Sequence, residues 1–172
     1  MFCIHGNHEQ RPETLAGYSE SHWNGGSVFV EEGFPSILFA KDGEVYQLGG
    51  RETLVVGGAY SVDKEYRLQR GFGWWSDEQP SAETKARVEC ALVARNWCVD
   101  VMLTHTTPIR YEPTEVFLPF IDQSKVDKTT ECWLGEVEAK LDYGRWYCGH
   151  FHTSKTIDRI VLMFEDFLVF GE

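Results

Sequence analysis

The chain has 172 residues, of which 42% are hydrophobic and 25% charged, enough apolar material for one domain with a real core and too much for a disordered chain. The formal net charge is −11, which disfavours a nucleic-acid partner unless a basic patch or bound metals reverse the field locally. No apolar run approaches the ~20 residues that span a bilayer, and no charged-then-apolar leader follows Met1, so a cytoplasmic protein without a membrane partner is expected.

No repeat, low-complexity tract or Pro/Gly/Ser linker interrupts the sequence, and a single domain over 1–172 is the simplest reading. Phe2–His5 reads as the end of a buried strand. Ser36–Ala40 and Glu44–Leu48 flank Lys41-Asp42-Gly43, the pattern of a hairpin. Thr53–Val56 reads as a short strand ended by Gly57-Gly58. Ser81 is an N-cap candidate with Glu83 in the first turn. Ala82, Ala86, Cys90, Val93 and Trp97 then recur at helical spacing, predicting an amphipathic helix over 82–97. Val99–Leu103 reads as a buried strand stopping at Thr104-His105. A helix over 129–140 should turn Trp133, Leu134 and Val137 inward. Trp146–Cys148 reads as a strand stopping at Gly149-His150. Ile160–Phe170 reads as two strands around Glu165-Asp166, with Phe164, Phe167 and Phe170 in the core. The order is mixed α/β, with polar motifs just past strand ends, where open α/β sheets place their ligand sites.

The cysteines, Cys3, Cys90, Cys98, Cys132 and Cys148, form no C-x-x-C pair. Free thiols are expected rather than a disulfide framework or a zinc knuckle.

Three motifs carry chemistry: Gly6-Asn7-His8-Glu9, Thr104-His105 and Gly149-His150-Phe151-His152. Neutral imidazole together with amide or carboxylate oxygen suits the ions that assist phosphate-ester hydrolysis. A His-x-His pair in a loop can serve two neighbouring ions. A glycine before a motif lets the backbone turn sharply and keeps the site open.

In this order, Asn7-His8-Glu9, His105 and Gly149-His150-x-His152 resemble the C-terminal motif series of the calcineurin-like metallophosphoesterase superfamily. Gly57–Lys64 also resembles a bacterial and phage branch of small members. The resemblance implies an α/β sandwich of two mixed sheets flanked by helices. It also implies hydrolysis of phosphate mono- or diesters by a hydroxide activated between two divalent ions (Mn, Fe, Zn or Ni). Asn7, His105 and His150 then resemble ligands of one ion and His152 a ligand of the other. His8 resembles the catalytic histidine, assisting at the phosphoryl group or the leaving oxygen. Glu9 is expected to hold the His8 imidazole through a hydrogen bond. Lys64, Arg67 and Arg70 form a basic cluster that either contacts substrate phosphate or is a solvated face. His22 and Trp74-Trp75 read as structural.

The superfamily also uses an Asp-x-His and a Gly-Asp-x-x-Asp motif. Neither occurs in this sequence. The resemblance therefore implies a chain that lacks the first βαβ portion and holds at most one ion, with impaired hydrolysis. An inactive binding or regulatory protein with the same fold is the alternative. A sheet edge left open in this way would favour a homo-oligomer.

Overall fold

A computed structural model describes residues 1–171. Its strands form two mixed sheets. The first has four strands: β1 (Phe2–Cys3), β2 (Tyr18–Trp23), β3 (Gly26–Glu31) and β4 (Leu38–Ala40), in the spatial order β1-β4-β3-β2. β1 runs parallel to β4, and the other pairs are antiparallel.

The second sheet has six strands. β5 (Val45–Leu48) and β6 (Arg51–Val56) are followed by β7 (Cys98–Thr104), β8 (Asp142–Cys148), β9 (Lys155–Ile157) and β10 (Ile160–Leu162). The spatial order is β5-β6-β7-β8-β10-β9, with β6, β7, β8 and β10 parallel. Three helices complete the fold: α1 (Lys64–Arg70), α2 (Ala82–Val93) and α3 (Thr129–Glu138).

The sheets face one another. Val28 and Ala40 of the first meet Tyr46 and Val55 of the second in one buried cluster. Tyr46 is fully buried, and its hydroxyl both accepts from Lys41 N at 2.9 Å and donates to Ser27 O. On the far side of the six-stranded sheet, Leu54, Met102, Trp146 and Ile160 pack against Val88 and Leu92 of α2 and Trp133, Leu134 and Val137 of α3. Each such side chain contributes about 1.5–3 kcal/mol through removal of apolar surface from water. Helices thus cover one outer face. The outer face of β2 is exposed, and α1 buries none of its residues.

The strands expected at 53–56, 99–103 and 146–148 are present, as is the inward face of α3. Other expectations are corrected. Lys41-Asp42-Gly43 does not close a hairpin: β4 stays in the first sheet, whereas β5 pairs with β6 in the second. Pairing with β6 begins within the turn itself, where Gly43 N donates to Val55 O at 2.9 Å. α2 buries Thr84, Val88 and Leu92, while Ala82, Ala86, Cys90 and Val93 face solvent. Both sets repeat helically, and burying the larger Val and Leu side chains removes more apolar area than burying Ala and Cys. α2 also stops at Val93, since Asn96 adopts a left-handed φ of 53°, a conformation asparagine accepts at helix ends. Ser81 does cap it, accepting from Thr84 N at 3.2 Å.

The tail differs as well. Residues 164–170 form no strand; β9 and β10 pair instead as a hairpin. Phe167 is 91% exposed, and Phe164 is exposed too, against the expected core role. Phe170 stacks on Tyr147 with ring centroids 5.8 Å apart. All the cysteines are free thiols. Among the described residues no helix is long and apolar enough to cross a membrane.

Candidate functional site

Strand register explains how residues far apart in sequence meet. Val56 pairs with Thr104, and Thr104 with Cys148, so β6, β7 and β8 end at one level. The ladder continues one step beyond the strands: His105 N donates to Val56 O and Gly149 N to His105 O, each at 3.0 Å. The segment after β1 joins the same edge, because Gly58 N donates to His5 O at 2.9 Å. Asn7, His105 and His150 are thereby delivered to one place.

There, His105 Nε2 lies 2.8 Å from Asn7 Oδ1, and the His105 and His150 rings are 5.1 Å apart between centroids. His150 sits in a tight turn in which Phe151 N donates to Gly149 O at 2.8 Å. Its φ is 67° and that of His152 is 50°. A three-residue turn with positive φ at its centre is the rarer, strained form, and such strain concentrates at functional sites. Burial pushes the His105 imidazole down to about 3 and that of His150 down to about 4, with repulsion from neighbouring histidines, His150 on His105 and His8 on His150 foremost, adding to the effect. Both rings are therefore neutral near pH 7, the state in which imidazole can donate an electron pair.

The Asn7 amide is oriented from behind. Its Nδ2 donates to Ser61 Oγ at 2.9 Å, and Ser61 Oγ donates to Glu78 Oε2 at 2.5 Å. Glu78 Oε1 also accepts from Ser61 N at 3.1 Å. Ser61 and Glu78 are buried. The nitrogen of the amide is thus committed inward, and Oδ1 faces the histidines.

His8 is held by groups other than the one expected. Arg67 Nη2 donates to His8 Nδ1 at 2.7 Å, and His8 Nε2 lies 3.3 Å from Asp63 Oδ1. Arginine can only donate, so Nδ1 accepts and the proton of the neutral ring sits on Nε2. Asp63 also anchors Arg67 Nε at 2.9 Å. Glu9 turns away: its carboxylate accepts from Gly6 N at 2.5 Å and makes no bond to His8. Of the basic cluster, only Arg67 reaches the site through His8. Lys64 lies over the Trp74 ring at 4.2 Å and Arg70 over Tyr66 at 5.5 Å, and neither lines the cleft. His22 is exposed on β2, away from the site.

Asn7, His105 and His150 line a cleft of about 430 Å³. His8, Asp63 and His152 line it as well, and His152 stacks on Phe164 with centroids 5.0 Å apart. The segment between β7 and α3 supplies an apolar wall that includes Val116, Phe117, Leu118, Ile121 and Val126. Glu131 of α3 also lines the cleft, although the residue is 4% exposed.

Asp63, Ser61, Glu78 and Glu131 were not singled out from the sequence. Ser61 and Asp63 carried a signal, standing directly after the Gly57-Gly58 strand end. Glu78 and Glu131 carried none, since a lone carboxylate in a loop or helix reads as surface. Among the described residues, no group of three or more His, Cys, Asp or Glu side chains is arranged to hold a metal ion. The tight set is two imidazoles and the Asn7 amide.

No family model matches the chain, no curated protein matches it, and no solved structure matches it.

Proposed function

We propose that this cleft is a metal-assisted phosphate-ester site of the calcineurin-like metallophosphoesterase type, carried on that superfamily's sandwich of facing mixed sheets. The observation that supports the reading is the meeting of Asn7 Oδ1, His105 and His150 at aligned strand ends, with His150 in a strained turn. Two neutral imidazoles and an amide oxygen suit Mn, Fe, Zn or Ni. His105 Nε2 and Asn7 Oδ1, now hydrogen-bonded at 2.8 Å, need separate only to about 3.0–3.4 Å to share an ion held at roughly 2.1 Å.

Asn7, His105 and His150 would hold the ion, with His152 lining the same cleft. When bound, the ion supplies Lewis-acid polarisation of a phosphoryl oxygen. His8 stands beside this set, with Nδ1 engaged by Arg67. Proton exchange with the leaving oxygen would use the Nε2 proton, in place of its 3.3 Å contact with Asp63 Oδ1. Asp63 and Arg67 orient that ring. A ligand set without a carboxylate favours a single ion and slow chemistry, so a binding or regulatory role for the same fold is the second reading.

Titration of the 172-residue chain with Mn²⁺ is expected to give one ion per chain, and His105→Ala or His150→Ala should abolish it. Hydrolysis of 4-nitrophenyl phosphate should be near background. An ion that binds equally well to both alanine variants would overturn the ligand assignment. Brisk Mn²⁺-dependent turnover lost in His150→Ala would overturn the single-ion account.

Ser61→Ala should lower Mn²⁺ affinity about 10-fold, the lower end of the effect of removing a ligand's hydrogen-bond partner. The cause is release of the Asn7 amide, which can then rotate its nitrogen toward the histidines. Unchanged affinity in that variant would show that Asn7 is oriented by something else.

A further inference from the structure

The cleft is lined by more than the histidines, and its other lining groups have a chemistry of their own. A volume of about 430 Å³ exceeds what a phosphate group fills and lies within the ~300–1,000 Å³ of small-molecule pockets. The aromatic rings of Phe117 and Phe151 line it, stacked at 20° with centroids 6.1 Å apart, and Tyr60 lines it as well.

The carboxylates along this side are mostly satisfied. Glu112 Oε2 accepts from Lys128 Nζ at 2.7 Å. Asp127 accepts from Gln79 Nε2 and Thr129 N, each at 2.9 Å. Glu131 differs. Its Oε1 accepts from Thr106 Oγ1 at 2.7 Å, but its buried Oε2 has no hydrogen-bond partner. A buried carboxylate oxygen without a donor is costly and is rarely left so. Glu131 lines the same cleft as His105 and His150, and its partner Thr106 directly follows His105 in the chain.

We infer that the cleft selects phosphate esters whose organic part is a planar aromatic ring bearing an N–H donor, with the ring against Phe117 and Phe151 and the donor on Glu131 Oε2. The inference rests on the proposed phosphate-ester site for the seat of the phosphate. The aromatic wall rewards a flat apolar group, and Glu131 rewards a donor on it. An aliphatic ester gains neither.

The test measures binding rather than turnover. Equilibrium dialysis of the full 172-residue chain with Mn²⁺ at pH 8 compares methyl phosphate, phenyl phosphate and 4-aminophenyl phosphate, with 4-aminophenol as a phosphate-free control. Phenyl phosphate is expected to bind about 10-fold more tightly than methyl phosphate, and 4-aminophenyl phosphate about 10-fold more tightly again. In Glu131→Gln the side-chain oxygen stays on Thr106 and an amide N–H₂ faces the cleft, so preference for the amino group should vanish. Phe117→Ala should bring both aryl esters toward methyl phosphate, which tests the wall even if the Glu131 variant folds poorly. Equal binding of all the esters, or an amino preference that survives Glu131→Gln, overturns this inference and leaves the phosphate-ester reading standing. If no phosphate binds but 4-aminophenol does, with a loss in Glu131→Gln, the cleft assignment holds and the phosphate-ester reading falls. If neither the esters nor 4-aminophenol bind, the inference is overturned.

Discussion

Gly58→Ala is expected to cost the chain about 2–5 kcal/mol of stability, composed of about 1–2 for a left-handed non-glycine residue and about 1–3 for overpacking. Gly58 has a φ of 83°, and a Cβ built there would meet the backbone oxygen of Glu78 at 2.1 Å and Arg11 Nη2 at 3.0 Å. A backbone atom cannot step aside as a side-chain tip can. Relief therefore requires moving the segment around Glu78, whose carboxylate holds Ser61 and, through it, Asn7. The loss should appear in urea unfolding as a lower midpoint at unchanged slope. Gly17→Ala is the control. Nothing lies within 4 Å of the Cβ built there, and its φ is outside the left-handed range. It should be neutral, or stabilising by up to about 1 kcal/mol. Equal effects of the two substitutions would sink the argument.

Asp42→Ala is expected to cost about 3–5 kcal/mol, the range for removing one partner of a buried ion pair. Arg11 Nη1 donates to Asp42 Oδ2 at 2.7 Å, with the two side chains 9% and 5% exposed. Asp42 Oδ1 accepts from Gly57 N at 2.6 Å, and Arg11 Nε donates to Asp77 O at 2.6 Å. One pair thus ties the segment carrying Asn7 and His8 to the β4–β5 crossing, to the end of β6 and to the loop before α2. Removing Asp42 alone strands the guanidinium in a buried place. Arg11→Met in the Asp42→Ala background should recover part of the loss, because it removes the stranded charge and keeps most of the side-chain volume. A double variant as unstable as the sum of the singles would mean that the two groups act independently.

Where sequence and structure part is a matter of how many readings a local pattern allows. Asn24-Gly25, with φ of 46° and 94°, turns β2 into β3 as an Asn-Gly two-residue hairpin loop should, so the local pattern encodes that hairpin. Lys41-Asp42-Gly43 looks equally like a hairpin turn. It instead carries the chain from one sheet to the other, since β1 and β3 occupy both edges of β4 and β6 is free for β5. In α2 two helical stripes compete, and only the opposing wall of Leu54, Met102 and Trp146 settles that Val88 and Leu92 turn inward.

The sequence by itself determined the strands that end at Thr104 and Cys148, the inward face of α3 and the polar motifs directly past those strand ends. These follow from local rules: apolar runs bury, glycines turn, and polar residues after a buried strand must meet solvent or a ligand. Only the tertiary structure decided which sheet each strand joined, that Asp63 and Arg67 rather than Glu9 hold His8, that Ser61 and Glu78 set the Asn7 amide, and that Glu131, which lines the cleft, keeps a buried oxygen without a partner. Those contacts join residues 17 to 59 positions apart in the chain, and no local pattern encodes them. They exist because register aligns the ends of β6, β7 and β8, and burial then forces each polar group there to find whatever partner the fold has placed beside it.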